Sequence, residues 1–244
     1  MNKFIKYDLK ANRGFLGKLI ILQIILTGLS FLGHGFLSAN YLTDPVFSNG
    51  IFALATVFFI GINIFYMVLT INKDFNTERA ILKYSLPKAQ KKIIWAKVFE
   101  LAIIYIINLI FLFIFLWALR FRITSDIVYF YALGLIWILI LTSFVFYFKS
   151  LNRFGQGKRS RFYGYGLILL IIVLGFVVCK YFSFAIVNGA IQHTRPINYG
   201  FIFPFAVGSL NIYKNITPIV YYFLALIFVI FVNQLNIKNN LDLS

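Results

Sequence analysis

Six stretches of this chain are apolar for long enough to settle its fold class: Leu19 to Ser38, Ile51 to Ile71, Val98 to Leu119, Ile127 to Phe148, Tyr165 to Phe182 and Ile219 to Ile237. Lipid offers a backbone no hydrogen-bond partner, so a span closes its bonds internally, and a helix of roughly 20 residues covers the ~30 Å of hydrocarbon. Strands of a membrane barrel would instead alternate apolar and polar residues over segments of about ten. Runs such as "LIILQIIL" and "IIYIINLIFLFIFLW" show no alternation. Charged residues make up 12% of the chain, against about 25% in an ordinary soluble domain. The expected fold is therefore an all-α integral membrane protein with six transmembrane helices, one polytopic domain over residues 1–244. The fifth stretch is the shortest and carries Lys180 near its end.

Basic residues in short loops stay on the cytoplasmic side of a membrane, which orients the spans. With the N-terminus inside, 18 of the 23 lysines and arginines fall inside; only Arg120, Arg122, Lys180, Arg195 and Lys214 fall outside. Both termini are then expected to be cytoplasmic. The formal net charge of +16 follows from this bias together with attraction to anionic lipid headgroups. Nucleic acid is not an expected partner, because no separate basic domain is present. The first apolar run is too long, and "LGHGFLSAN" too weak a cleavage site, for a removable signal peptide, so the first span should be retained. One cysteine, Cys179, leaves no internal disulfide and no multi-cysteine metal site. The abundance of Ile, Phe, Lys and Asn suggests an AT-rich genome, and the expected location is the plasma membrane of a bacterium.

Ahead of the first span, within residues 1–18, Asn2 to Leu16 sorts at helical spacing. Lys3, Lys6, Lys10 and Arg13 share one stripe, with Phe4, Tyr7, Ala11 and Phe15 on one flank and Ile5, Leu9 and Leu16 on the other. Such a helix lies along the inner membrane surface with its lysines snorkelling outward; the plainer alternative is a topology anchor. Near the other end, residues 183–218 form a long outer link holding the apolar run "INYGFIFPFAVGSL". Apolar runs of about 10 to 14 residues are too short to span and form re-entrant or interfacial pieces. Short helices broken at Pro196 and Pro204 are expected there; a seventh span is disfavoured by those prolines and Gly200.

Between the second and third spans, residues 73–97 carry seven basic and two acidic side chains. Asn76 suits an N-cap, Glu78 lies in the first turn that follows, and Pro87 takes Leu86 out of helical geometry. A helix over Thr77 to Ser85 is predicted. It either floats at the interface or docks in a groove of a cytosolic partner and transmits motion to the spans it joins. "RAILKYSLPKAQKKIIWAK" resembles the loop between the second and third spans of permease subunits of type-2 ATP-binding-cassette exporters. The matching positions are Ser85, Leu86, Pro87, Lys91, Ile93, Ile94, Ala96 and Lys97. The sequence departs at Lys88 to Gln90, where that family more often has an aliphatic residue followed by Ser or Thr and Arg. The layout resembles the family in outline too: an inner-surface helix, six spans, and apolar re-entrant helices before the last.

The resemblance implies a coupling helix seated in a cleft of a separate cytosolic ATP-binding-cassette ATPase, with Asn76, Glu78, Arg79, Lys83, Tyr84 and Leu86 as contact candidates. It implies a second permease subunit, identical or homologous, and ATP with magnesium on the partner ATPase rather than on this chain. It also implies an amphipathic peptide as cargo, with a drug-like molecule or a lipid as the alternative. No catalytic residue, cofactor or metal site is expected in this chain, and the chain is not expected to be an enzyme.

Other features fit no catalytic pattern. "GQGK" fails the phosphate-loop pattern, with Asn152 where its first glycine belongs and Arg159 where Ser or Thr belongs. Glu100 lies one turn into the third span and should pair with Lys97 or Lys92, or contact the coupling region. His34, with Ser30 and Ser38 one turn away on either side, is a packing patch rather than a hydrolytic dyad, because no second catalytic carboxylate cluster accompanies it. Asn63 and Asn108 should form interhelical hydrogen bonds; with His34 they are also candidates for a cargo path. A membrane-embedded hydrolase and a non-transporting membrane anchor are the rival classes. The first lacks its clustered acid, base and nucleophile, and the second has no use for re-entrant outer helices.

Overall fold

The computed structural model describes residues 2–36, 45–76, 90–121, 123, 125–153, 158–187, 190–194 and 216–241. Its helices are α1 (Asn2–Ala11), α2 (Arg13–Phe36), α3 (Pro45–Asn76), α4 (Gln90–Ala118), α5 (Ser125–Arg153), α6 (Lys158–Tyr181) and α7 (Thr217–Leu241). Six of them, α2 to α7, are long and apolar enough to cross a membrane. Each helix exceeds its apolar stretch at one or both ends, because helical bonds remain favourable beyond the hydrocarbon edge; α3, for example, continues from Ile71 to Asn76.

Side-chain exposure runs opposite to that of a water-soluble bundle. Leu54 is 73% exposed, and Ile24, Ile110, Val128, Leu169 and Phe231 are exposed as well. Lys97, Glu100, Asn63, Asn108 and Asn233 are buried. Apolar surface on this scale is not left in water, whereas in lipid it carries no penalty and polar groups gain by turning inward. The described residues are those of a multi-pass, predominantly helical membrane protein.

Two compact units are distinguished, Met1–Lys73 with Trp95–Thr124, and Asp74–Ile94 with Ser125–Ser244. In the first, α1 and α2 meet at Asn12, where the Asn12 N–H donates to the Asp8 carbonyl (3.0 Å) and the Leu16 N–H to the Asn12 carbonyl (2.9 Å), so helical bonding carries through the turn. At the far end of α4 the chain closes in a Schellman turn. The Phe121 N–H reaches the Leu116 carbonyl and the Arg120 N–H the Trp117 carbonyl, both at 2.9 Å, with Arg120 at φ 59° in the left-handed position glycine usually takes.

In the second unit, α7 packs along α5 and more briefly against α6. Tyr222, fully buried, sits 4.9 Å from the Trp137 ring. Gly164 lets α6 approach α5 closely: a Cβ there would fall 2.7 Å from Tyr147 and 2.9 Å from Phe148. Phe75 stacks edge-on against Phe146 at 5.0 Å.

The link after α6 departs from the expectation of helical pieces. Strands β1 (Ser183–Val187) and β2 (Ala190–Thr194) pair antiparallel, with Phe184 opposite His193 and Val187 opposite Ala190. Asn188 and Gly189 separate them in sequence, the dipeptide most suited to a two-residue hairpin, flanked by aromatic and β-branched residues. The apolar run that suggested helical pieces, "INYGFIFPFAVGSL", begins after β2 and lies outside the described residues. The hairpin is tied to the start of α7 by the Phe184 N–H donating to Thr217 Oγ1 and the Ile216 N–H to the Phe184 carbonyl, both at 2.8 Å. The expected breaks at Pro196 and Pro204 lie outside the described residues, as does the predicted helix over Thr77 to Ser85.

Candidate functional site

Two buried polar groupings occur in the first unit, and both draw on α3 and α4. The lower one gathers where basic residues flank the spans. Lys97 on α4 is 1% exposed and Glu100, one turn on, is fully buried. Lys97 Nζ donates to Glu100 Oε2 at 2.7 Å, and the Tyr66 hydroxyl of α3 donates to Glu100 Oε1 at 2.7 Å. Both carboxylate oxygens are thus filled, one by a cation and one by a neutral donor. Asp8 of α1 approaches Lys97 Nζ to 3.9 Å, an ion pair across two elements. Lys73 of α3 donates to Asn12 Oδ1 at 3.3 Å, and the Phe15 ring stacks on Tyr66 with centroids 5.9 Å apart.

A buried ion pair contributes little net stability, because desolvating both charges offsets most of their attraction. Its effect here is positional. Within α4 each partner compensates the other's charge, while the Tyr66 hydroxyl ties α3 to Glu100 and Asp8 ties α1 to Lys97, so the three helices are joined at this end. The helices held are those that lead into and out of residues 77–89. Lys97 and Glu100 are brought together with Tyr66 and Asp8, neither of which stood out in the sequence. A signal for Asp8 was present: it is the only acid among the first eighteen residues, in an otherwise basic segment.

The upper grouping is a ladder of amides. Gln23 Nε2 on α2 donates to Asn108 Oδ1 on α4 at 2.8 Å; Asn108 Nδ2 donates to Asn63 Oδ1 on α3 at 2.9 Å; and Asn63 Nδ2 donates to the Phe59 carbonyl at 2.8 Å. Interhelical bonds of this kind in membranes are worth about 0.6 kcal/mol on average and up to about 1.7. The ladder borders a cavity of about 440 Å³ with otherwise mainly apolar walls, including Leu54, Phe58 and Phe111. Asn63 and Asn108, two of the three cargo-path candidates, are therefore joined in one network, and Asn108 lines the cavity. Gln23 is the residue that sequence reasoning passed over. Its signal was a lone amide inside "LIILQIIL".

Of the other candidates, His34 lies on α2 and Asn76 ends α3, with their side chains outside the described set; Glu78, Arg79, Lys83, Tyr84 and Leu86 lie outside the described residues altogether. Among the described residues, no three His, Cys, Asp or Glu side chains come together as a metal site would need. Cys179 is a buried free thiol. No protein-family model matches the chain, and no curated protein matches it in sequence.

Proposed function

We propose that this chain is the membrane-spanning permease subunit of an ATP-driven exporter, energised by a separate ATPase and moving an amphipathic peptide or similar hydrophobic cargo. The observation that carries the reading is the Lys97, Glu100, Tyr66 and Asp8 cluster, which binds together the helices on both sides of the 77–89 loop. A push on that loop reaches α3 and α4 as one body rather than dissipating in two independent helices. The resemblance of "SLPKAQKKIIWAK" to a coupling segment supplies the source of the push.

In this mechanism two cytosolic ATPase subunits close on ATP and magnesium and press the segment from Asn76 to Leu86. The second and third spans tilt, and a path opens at the interface with a second permease subunit. The chemistry belongs to the partner; this chain contributes differential cargo binding in two states. Both termini are cytoplasmic in this scheme and the membrane is a bacterial plasma membrane. The apolar cavity of the first unit also suits a drug-like or lipid cargo, the second reading.

The test is to purify the tagged chain from native membranes and identify what accompanies it. A Walker-type ATPase should co-purify, its hydrolysis should rise in the complex, and Arg79→Ala or Tyr84→Ala should remove most of that rise. Unchanged stimulation across replacements from Asn76 to Leu86 would overturn the coupling role.

A further inference from the structure

The direction of the amide ladder fixes which atom is left over. The Phe59 carbonyl only accepts, so the atom of Asn63 facing it is the nitrogen. The Asn63 oxygen then faces Asn108, which must present its own nitrogen, and the Asn108 oxygen in turn requires the nitrogen of Gln23. Every donor runs one way along the ladder. The atom remaining at its start is Gln23 Oε1, a buried acceptor with no donor, on a side chain only 7% exposed. In hydrocarbon no water stands by to fill it.

Gln23 lines the 440 Å³ cavity, a volume inside the range of roughly 300 to 1,000 Å³ typical of small-molecule sites. A second cavity of about 390 Å³ adjoins it, sharing Leu22, Phe58 and Ile62, and is bordered by Lys18. Lys18 precedes Gln23 by five residues, about 7.5 Å along the helix. Along the groove so formed stand, in order, a cation, a side chain with a buried and uncommitted acceptor, and an apolar chamber.

We propose that this groove binds a single-chain amphiphile of the N-acyl amino acid type. The carboxylate is met by Lys18, the amide N–H donates to Gln23 Oε1 through a small rotation of a broad terminal torsion, and the acyl chain fills the chamber between Leu54, Phe58 and Phe111. An ordinary membrane acyl chain fits the chamber but leaves Gln23 Oε1 unfilled. The site is a property of the first unit alone and holds whether or not an ATPase drives the chain.

The experiment uses the purified full chain in nanodiscs of uncharged lipid, without nucleotide, and follows displacement of labelled N-dodecanoylglycine. The competitors are the unlabelled amide and its ester isostere, dodecanoyloxyacetate, which lacks only the N–H. The amide should compete about tenfold better than the ester, the effect of one hydrogen bond made away from water, and Gln23→Leu should abolish that preference. Lys18→Gln should weaken both competitors. Ala55→Phe, which narrows the chamber, should lose binding of both at unchanged melting temperature. Equal competition by amide and ester in the native chain, or full binding to Ala55→Phe, overturns the proposal and leaves a groove for bulk lipid only.

Discussion

The two units of this protein hold their helices by different means. The first buries Lys97, Glu100, Gln23, Asn63 and Asn108 and links α2, α3 and α4 through side chains bonded to one another. The second relies on close approach at Gly164 and on the rings of Trp137 and Tyr222. Its polar side chains more often reach a backbone carbonyl on a neighbouring helix: Asn233 Nδ2 to Ser143 O and Tyr221 Oη to Ile171 O, each at 2.8 Å. A side-chain pair exists in one arrangement and is lost if either residue moves. A carbonyl on a helix recurs every residue, so a donor has other acceptors within reach when helices slide. The first unit is specified by particular partners and the second by shape.

That contrast breaks most visibly at Glu100. Glu100→Ala leaves Lys97 buried without its nearest carboxylate and should cost about 3 to 5 kcal/mol. It should be read as a large drop in the melting temperature of the detergent-solubilised protein. The double change Lys97→Met with Glu100→Leu should recover most of the loss, because the penalty lies in the orphaned charge. A double variant as unstable as the single one would mean that the pair itself stabilises the unit.

The second unit should respond to volume. Gly164→Leu places a side chain where even a Cβ falls within 2.7 to 2.9 Å of Tyr147 and Phe148, so either those two rings or α6 itself must shift. Overpacking of this kind costs about 1 to 3 kcal/mol. The shift in melting temperature should be partly reversed by Tyr147→Ala, which opens the space. The smallest effects compare amides directly. Asn108→Leu removes two interhelical bonds and should cost about twice as much as Asn233→Leu, which removes one of about 0.6 kcal/mol. Equal losses at the two positions would show that the units do not differ in the way described.

Much of the fold was legible in the residues. Each of the six apolar stretches coincides with a helix, because the need to satisfy backbone groups in lipid leaves no other local structure. The ends were less legible: apolarity marks the depth of the hydrocarbon, while α3 and α4 extend beyond it. The pairing of β1 with β2 had its signal in the Asn188-Gly189 dipeptide between two runs of aromatic and β-branched residues. At the site, the lone Glu100 inside a span signalled a partner within reach at Lys97, and Asn63 and Asn108 signalled bonds between helices.

Sequence alone determined that the chain crosses a membrane as helices, with basic flanks and polar residues turned inward, since these follow from transfer free energies that act residue by residue. It also contained the 73–97 segment whose pattern suggests a partner. Only the tertiary structure decided that Tyr66 and Asp8 complete the Lys97 and Glu100 cluster, and that Gln23 heads an amide ladder with its oxygen left over. Those facts depend on which face each helix turns to its neighbours. That choice is made by packing among residues as far apart in the chain as Asp8 and Lys97, and no local preference encodes it.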